Sequence, residues 1–171
     1  MNVKNRLIVL SFLQFFIWGS WLISTGGYLF SIGFSGIEIG SVFSTLGIAS
    51  LFMPAILGII ADRWVNGERV LGISHIMGGI LLVVAAFVKT PGLMFWVMLL
   101  NSMAYMPTIA LNNSVSYRIL VQSGMDVQTN FPPIRVWGTV GFILAMWFAD
   151  LTGFGKSNIQ YFVAAAAAIG M

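Results

Sequence analysis

The sequence predicts an all-α membrane protein, a bundle of six spans whose last one is cut short. Three observations carry that reading. Hydrophobic residues make up 58% of the 171 and charged residues 8%, whereas a soluble domain carries roughly 25% charge. The mean hydropathy is +0.94. The apolar residues also fall into six separate segments, each bounded by turn or polar residues.

The first segment runs from Leu7 to about Ile32. Lys4 and Arg6 precede it, as in a secretory signal. The run is too long for a signal core and lacks a small-residue cleavage site, so it reads as a span. Gly33-Phe34-Ser35-Gly36 breaks the chain before the second segment, about Ile37–Ala61. Asn66-Gly67 precedes the third, about Val70–Val88, and Lys89-Thr90-Pro91-Gly92 precedes the fourth, about Leu93–Ser116. The longest polar connection, Gln122–Asn130, leads through Phe131-Pro132-Pro133 into the fifth, about Ile134–Leu151. The sixth starts near Asn158 and contains Ala164–Ala168, a plain helix signal. From Asn158 to Met171 there are 14 residues. That gives about 21 Å of helix, against a hydrocarbon core of about 30 Å. The expectation is a fragment, or a truncated gene product, cut within its last helix.

Lys4, Arg6, Arg63, Arg69, Arg118 and Arg135 fall on one side of this arrangement, and only Lys89 and Lys156 on the other. The positive-inside rule then puts the N-terminus in the cytoplasm. The net charge of +3 is spread over short loops and does not indicate nucleic acid. With no cysteine, one histidine and five carboxylates, there is little material for a metal site or a catalytic triad. The expectation is no catalytic residue, no metal, no cofactor and no enzyme.

Arg135, Thr139 and Phe142 stand at i, i+4 and i+7 and share one helical face. A guanidinium facing lipid costs several kcal/mol, so this one should face protein or a water-filled cavity. A cation, a hydroxyl and a ring on one face outline a small-molecule site within the membrane. Snorkelling of Arg135 to the interface, a back-bond from Thr139 and plain packing of Phe142 are the competing readings. Gln14, Trp18, Tyr105, Asn112 and Asn113 form a weaker set of substrate candidates. Hydrogen bonding between helices explains each of them as well as substrate binding does. His75 reads as a neutral interhelical hydrogen-bonder ahead of a proton relay. Glu38, Asp62, Glu68, Asp126 and Asp150 all fall at predicted helix ends or loops, so no acid sits at mid-membrane.

The stretch from Gly58 through Asp62-Arg63 to Gly67-Glu68-Arg69 resembles the loop signature of the major facilitator superfamily. A carboxylate there can pair with basic residues and favour a helix N-terminus, which gives Asp62 and Arg63 a gating role. The second glycine comes about two residues late, and Glu68 stands where a basic residue is common. The segments Ser11–Leu22, Met53–Asp62, Ala104–Thr108 and Gly124–Asp126, together with Phe131-Pro132-Pro133-Ile134-Arg135-Val136-Trp137-Gly138-Thr139, resemble the bacterial nucleoside:proton symporters of that superfamily. The resemblance implies that residues 1–171 are the N-terminal six-helix half of a twelve-helix transporter built from inverted three-helix repeats. It implies a multi-pass protein of the bacterial inner membrane that imports nucleosides with protons by alternating access. It also implies substrate contacts at Arg135, Thr139 and Phe142. The partners are then a nucleoside, the lipid bilayer and a missing C-terminal six-helix half that holds the coupling carboxylate.

Arg135 with Gly138 and Gly141 is also similar to the fifth helix of the galactoside:proton symporters. Those proteins carry a fourth-helix carboxylate where this chain offers Asn112 and Asn113, which disfavours a galactoside. The alternatives to a nucleoside symporter are a symporter for another small polar solute, such as a sugar, and a structural or assembly membrane protein.

Overall fold

The computed structural model describes residues 2–171 and contains helices joined by short turns. The helices are α1 (Val3–Trp21), α2 (Thr25–Ser31), α3 (Gly36–Arg63), α4 (Gly67–Ala85), α5 (Pro91–Gln122), α6 (Val127–Leu151) and α7 (Ile159–Ile169). Taking α1 and α2 together as Val3–Ser31, five of these units are long and apolar enough to cross a membrane. The shorter apolar helix α7 follows a 3₁₀ turn at Phe154–Lys156.

Three boundaries differ from the sequence reading, each for a physical reason. The first span is not continuous, because a turn at Leu22–Ser24 separates α1 from α2. The Ser24 hydroxyl donates to Gln160 Oε1 at 2.7 Å, and the Thr25 hydroxyl lies 3.2 Å from Tyr161 Oη. Polar groups of α7 therefore hold the interruption open. The fourth span runs on to Gln122, six residues past the expected end at Ser116. The fifth begins at Val127, not at Ile134. Asp126 caps it by accepting from the Thr129 backbone N–H at 2.9 Å and the Thr129 hydroxyl at 2.8 Å. The hydroxyl and backbone bonds hold the Asp126 carboxyl below the usual carboxylate range. Pro132 and Pro133 then lie in the second turn of α6. The carbonyls they leave unpaired belong to Gln128 and Thr129, both exposed, so solvent can take them. The polar connection shrinks to Ser123–Asp126.

The helices α1 and α6 make the most extensive contact in the bundle. Next come α3 on α5, α4 on α5, α4 on α7 and α1 on α7, with a smaller contact between α1 and α5. Exchange the first three spans for the last three, one for one. The α1–α6 pairing then becomes α5–α3, and α4–α5 becomes α7–α1. The α4–α7 and α1–α5 pairings map onto themselves. The principal contacts therefore carry the two-fold pattern of inverted three-helix repeats.

Glycine sets the α1–α6 distance. A methyl group on Gly141 would lie 2.3 Å from the Phe12 carbonyl oxygen, and one on Gly19 would lie 2.6 Å from that of Phe142. Small residues permit such backbone approach in membranes, where packing rather than water drives helix association. Replacing Gly141 by alanine should destabilise the bundle by about 1–3 kcal/mol through overpacking. Gly47→Ala, whose added methyl meets nothing within 4 Å, should not. Thermal unfolding of the two variants in detergent checks this, and equal melting temperatures would show that the crossing has slack.

Candidate functional site

The face of α1 that meets α6 carries Phe12, Phe15 and Gly19, spaced so that they form one helical stripe. The Arg135 guanidinium carbon sits 4.1 Å from the centroid of the Phe15 ring. Trp18, one turn further along α1, has its ring 6.4 Å from Phe15, 6.0 Å from Phe142 and 6.1 Å from Tyr105. An aromatic cluster thus joins α1, α5 and α6, and Arg135 lies at its edge. Arg135 is eight residues past the start of α6, or about 12 Å along the axis. It is not a helix-end residue, and five basic residues rather than six mark the basic end of the bundle.

Arg135 and Phe142 both pack on the α1 ladder and are half-buried, while Thr139 between them is exposed. Among the described residues neither the Arg135 guanidinium nor the Thr139 hydroxyl hydrogen-bonds to protein. This sets Thr139 apart from Ser20, Ser116 and Thr152, whose hydroxyls donate one turn back to Phe16, Asn112 and Phe148. The Trp18 indole N–H is buried without a partner among the described residues. The crossing therefore offers unspent donors beside aromatic faces. Alongside, a cleft of about 600 Å³ runs between α1–α2 and α6 from Gly19 to Asp150 and Lys156, at the end of the bundle opposite Lys4, Arg6, Arg63, Arg69 and Arg118. A second groove, of about 560 Å³ between α3, α4 and α5, is almost wholly apolar and has nothing to grip a polar solute.

The other candidates serve the neighbouring stripe of α1. Gln14 is fully buried and spends its amide on both sides. Its Nε2 donates to Thr108 Oγ1 at 2.8 Å, and its Oε1 lies 3.0 Å from His75 Nε2. Its backbone carbonyl accepts from the Tyr105 hydroxyl. Gln14, His75, Tyr105 and Thr108 thus tie α1, α4 and α5 together, and His75 is the interhelical partner its sequence context suggested. One turn toward the basic end lie Ser11 and Asn112, fully buried and level with each other because α1 and α5 run antiparallel. The Ser11 hydroxyl and both amide atoms of Asn112 lack protein partners among the described residues, as does Asn113 Oδ1. Groups so placed take water or solute as partner. Sequence reasoning missed Phe15, Gly138, Thr108 and Ser11, since their roles depend on which helices are neighbours.

Asp62 and Arg63 end α3 and are both exposed. The ion pair at this corner joins Glu68 to Arg118 instead, at 3.2 Å, with both side chains nearly half exposed. Asp62 and Arg118 line one cavity of about 410 Å³ with Gly58, Gly67 and Ser114. A pair as exposed as Glu68–Arg118 contributes at most about 1 kcal/mol, so it can break readily. All five carboxylates stand at helix termini: Asp126 as a cap, Glu38 and Glu68 in first turns, Asp62 and Asp150 in last turns.

Inverted triplets of membrane spans, with a cation and aromatic rings gathered on the α1–α6 crossing, define a multi-span bundle of the major facilitator type. A model of the nucleoside H+ symporter family matches residues 1–171, and the chain belongs to that family. It is 54% identical over 167 residues to the nucleoside permease NupG of Escherichia coli (strain K12), covering 97% of this chain and 40% of that protein. It is 51% identical over 170 residues to the xanthosine permease of the same organism, covering 99% of this chain and 41% of that one. The crystal structure of the nucleoside transporter NupG superimposes with a TM-score of 0.96 at 53% identity, over 98% of this chain and 42% of that one. The chain thus spans about two fifths of the length of these relatives.

Replacing Gln14 by leucine leaves His75 Nε2 without its partner inside the bundle and removes the amide that donates to Thr108, whose hydroxyl keeps its own bond to the Tyr105 carbonyl. A loss of about 1–3 kcal/mol of stability is expected, read as a lowered melting temperature of the purified protein. An unchanged melting temperature would mean that Gln14 does not tie these helices.

Proposed function

We propose that residues 1–171 form the N-terminal half-domain of a nucleoside:proton symporter that imports nucleosides by alternating access. Membership of the nucleoside H+ symporter family over the whole chain carries this reading. The chemistry of the α1–α6 crossing fits it. A nucleoside presents ribose hydroxyls, base carbonyls and an aromatic face. Arg135 donates in-plane hydrogen bonds to its oxygens, Thr139 adds a hydroxyl, and Phe142 and Trp18 offer ring faces and edges to the base. With every acid of this chain at a helix end, the carboxylate that couples proton to solute belongs to a C-terminal six-helix half. The protein acts as a transporter and not as an enzyme, with protons as its coupling ion and no other cofactor. The basic residues at the ends of α1, α3, α4 and α5 favour a cytoplasmic N-terminus by the positive-inside rule, in the bacterial inner membrane. Asp62 and Arg63, beside the exposed Glu68–Arg118 pair, form part of the cytoplasmic gate.

A chimera joining this chain to the remaining length of NupG should restore uridine uptake to a transport-deficient strain, and a protonophore should abolish that uptake. Arg135→Ala should lower uptake more than tenfold, and Arg135→Lys, which keeps charge without the planar fork, should rescue it only in part. Wild-type uptake by Arg135→Ala would remove Arg135 from the site. Proteoliposomes holding only residues 1–171 should not accumulate uridine under a pH gradient. Accumulation there would show that coupling needs no second half.

A further inference from the structure

We propose that Phe15 is a positioning residue for solute recognition: its ring holds the face of the Arg135 guanidinium, and Gly138 keeps open the space in which the two stack. The inference rests on the assignment of Arg135 to the nucleoside site. A guanidinium has its N–H donors in its plane and an unengaged face above and below. Stacking on an aromatic ring uses the face and leaves the donors at the edge. The guanidinium carbon lies over the Phe15 ring, 4.1 Å from its centroid, which is close enough for such a stack, and among the described residues no protein acceptor takes its N–H groups. A carboxylate would have fixed Arg135 as firmly, but a bidentate pair would have taken two of its five N–H donors.

Gly138 supplies the second, independent observation. It stands three residues after Arg135, on the side of α6 that faces Phe15. A methyl group there would lie 2.6 Å from Phe15 Cδ2 and 2.8 Å from Arg135 Nη1. Both distances are too short for any real contact, and they involve both partners of the stack at once. Phe15 is 7% exposed and packed in the helix crossing, so its ring has little freedom to swing away and release the guanidinium. A leucine at position 15 would fill the crossing about as well but offer no π face.

The test is a double-mutant cycle on uridine affinity in the purified full-length protein. Phe15→Leu should weaken binding about three- to thirtyfold, the span expected of a cation–π contact. Phe15→Tyr, which keeps the ring, should bind within about twofold of wild type. In an Arg135→Ala background, Phe15→Leu should cost nothing further, which a purely structural role would not produce. An unaltered affinity for Phe15→Leu, or the same penalty with and without Arg135, overturns the proposal while leaving Arg135 in the site. Wild-type affinity for Arg135→Ala overturns the site assignment and the proposal together. If Phe15→Leu does not fold, Phe15→Met, which is closer in reach, carries the same comparison.

Discussion

The close approach of α1 and α6 is the constraint on which the rest of this bundle depends. At Gly19 and Gly141 the two backbones come so near that a single methyl group would strike a carbonyl oxygen. In a bilayer no hydrophobic force draws helices together, so dispersion contacts at short range must hold them. Glycine makes that range accessible, and the cost is loss of side-chain packing at those positions. What fills the crossing instead is the aromatic stripe of α1. Phe12 and Phe15 lie along the glycine face, and the Phe15 ring lies against the Arg135 guanidinium, 4.1 Å from its carbon. The same contact that fixes the fold therefore fixes the cation.

Two stripes of α1 divide the work. The Phe12–Phe15–Gly19 stripe meets α6 and carries the candidate site. The Ser11–Gln14–Trp18 stripe turns toward α4 and α5, with the Trp18 ring reaching Tyr105 of α5 and Phe142 of α6. There Gln14 holds His75 and Thr108 by its side chain and Tyr105 by its backbone. A polar tie of this kind fixes the rotation of α1 about its axis, which apolar packing alone does weakly. With the rotation fixed, Phe15 has to face α6. The mirrored contacts between the first and last three spans put α1 and α5 at the centre of the bundle.

The spans were largely legible in the sequence, because bilayer thickness imposes a length that apolar runs must meet. Their ends were less so. The prolines at 132 and 133 read as a helix start, yet Asp126 with Thr129 three residues on is an N-cap signal that places the start at Val127. The interruption at Leu22–Ser24 has only a weak local signal, the nearby Gly26-Gly27, and the groups that bond to it, Gln160 and Tyr161, lie more than 130 residues away. The Arg135–Thr139–Phe142 face was legible because helical periodicity alone defines it. What Arg135 rests on was not. Phe15 in an aromatic-rich first helix looks like its neighbours until the identity of the facing helix is known, and Gly138 looks like any other small residue in a span. Gln14 reads from the sequence equally as a substrate contact or as a hydrogen-bonder between helices. A buried amide in a span signals an obligatory partner, and only the tertiary structure says that protein already supplies it.

The central claim is that the α1–α6 crossing presents Arg135, stacked by its face and free at its edge, to a nucleoside. A structure of the full-length protein with bound nucleoside tests it most directly. The expected result places ribose or base oxygens within hydrogen-bond distance of the Arg135 nitrogens, with the guanidinium still seated on Phe15. A nucleoside bound elsewhere, with Arg135 turned out toward the lipid headgroups, would contradict it.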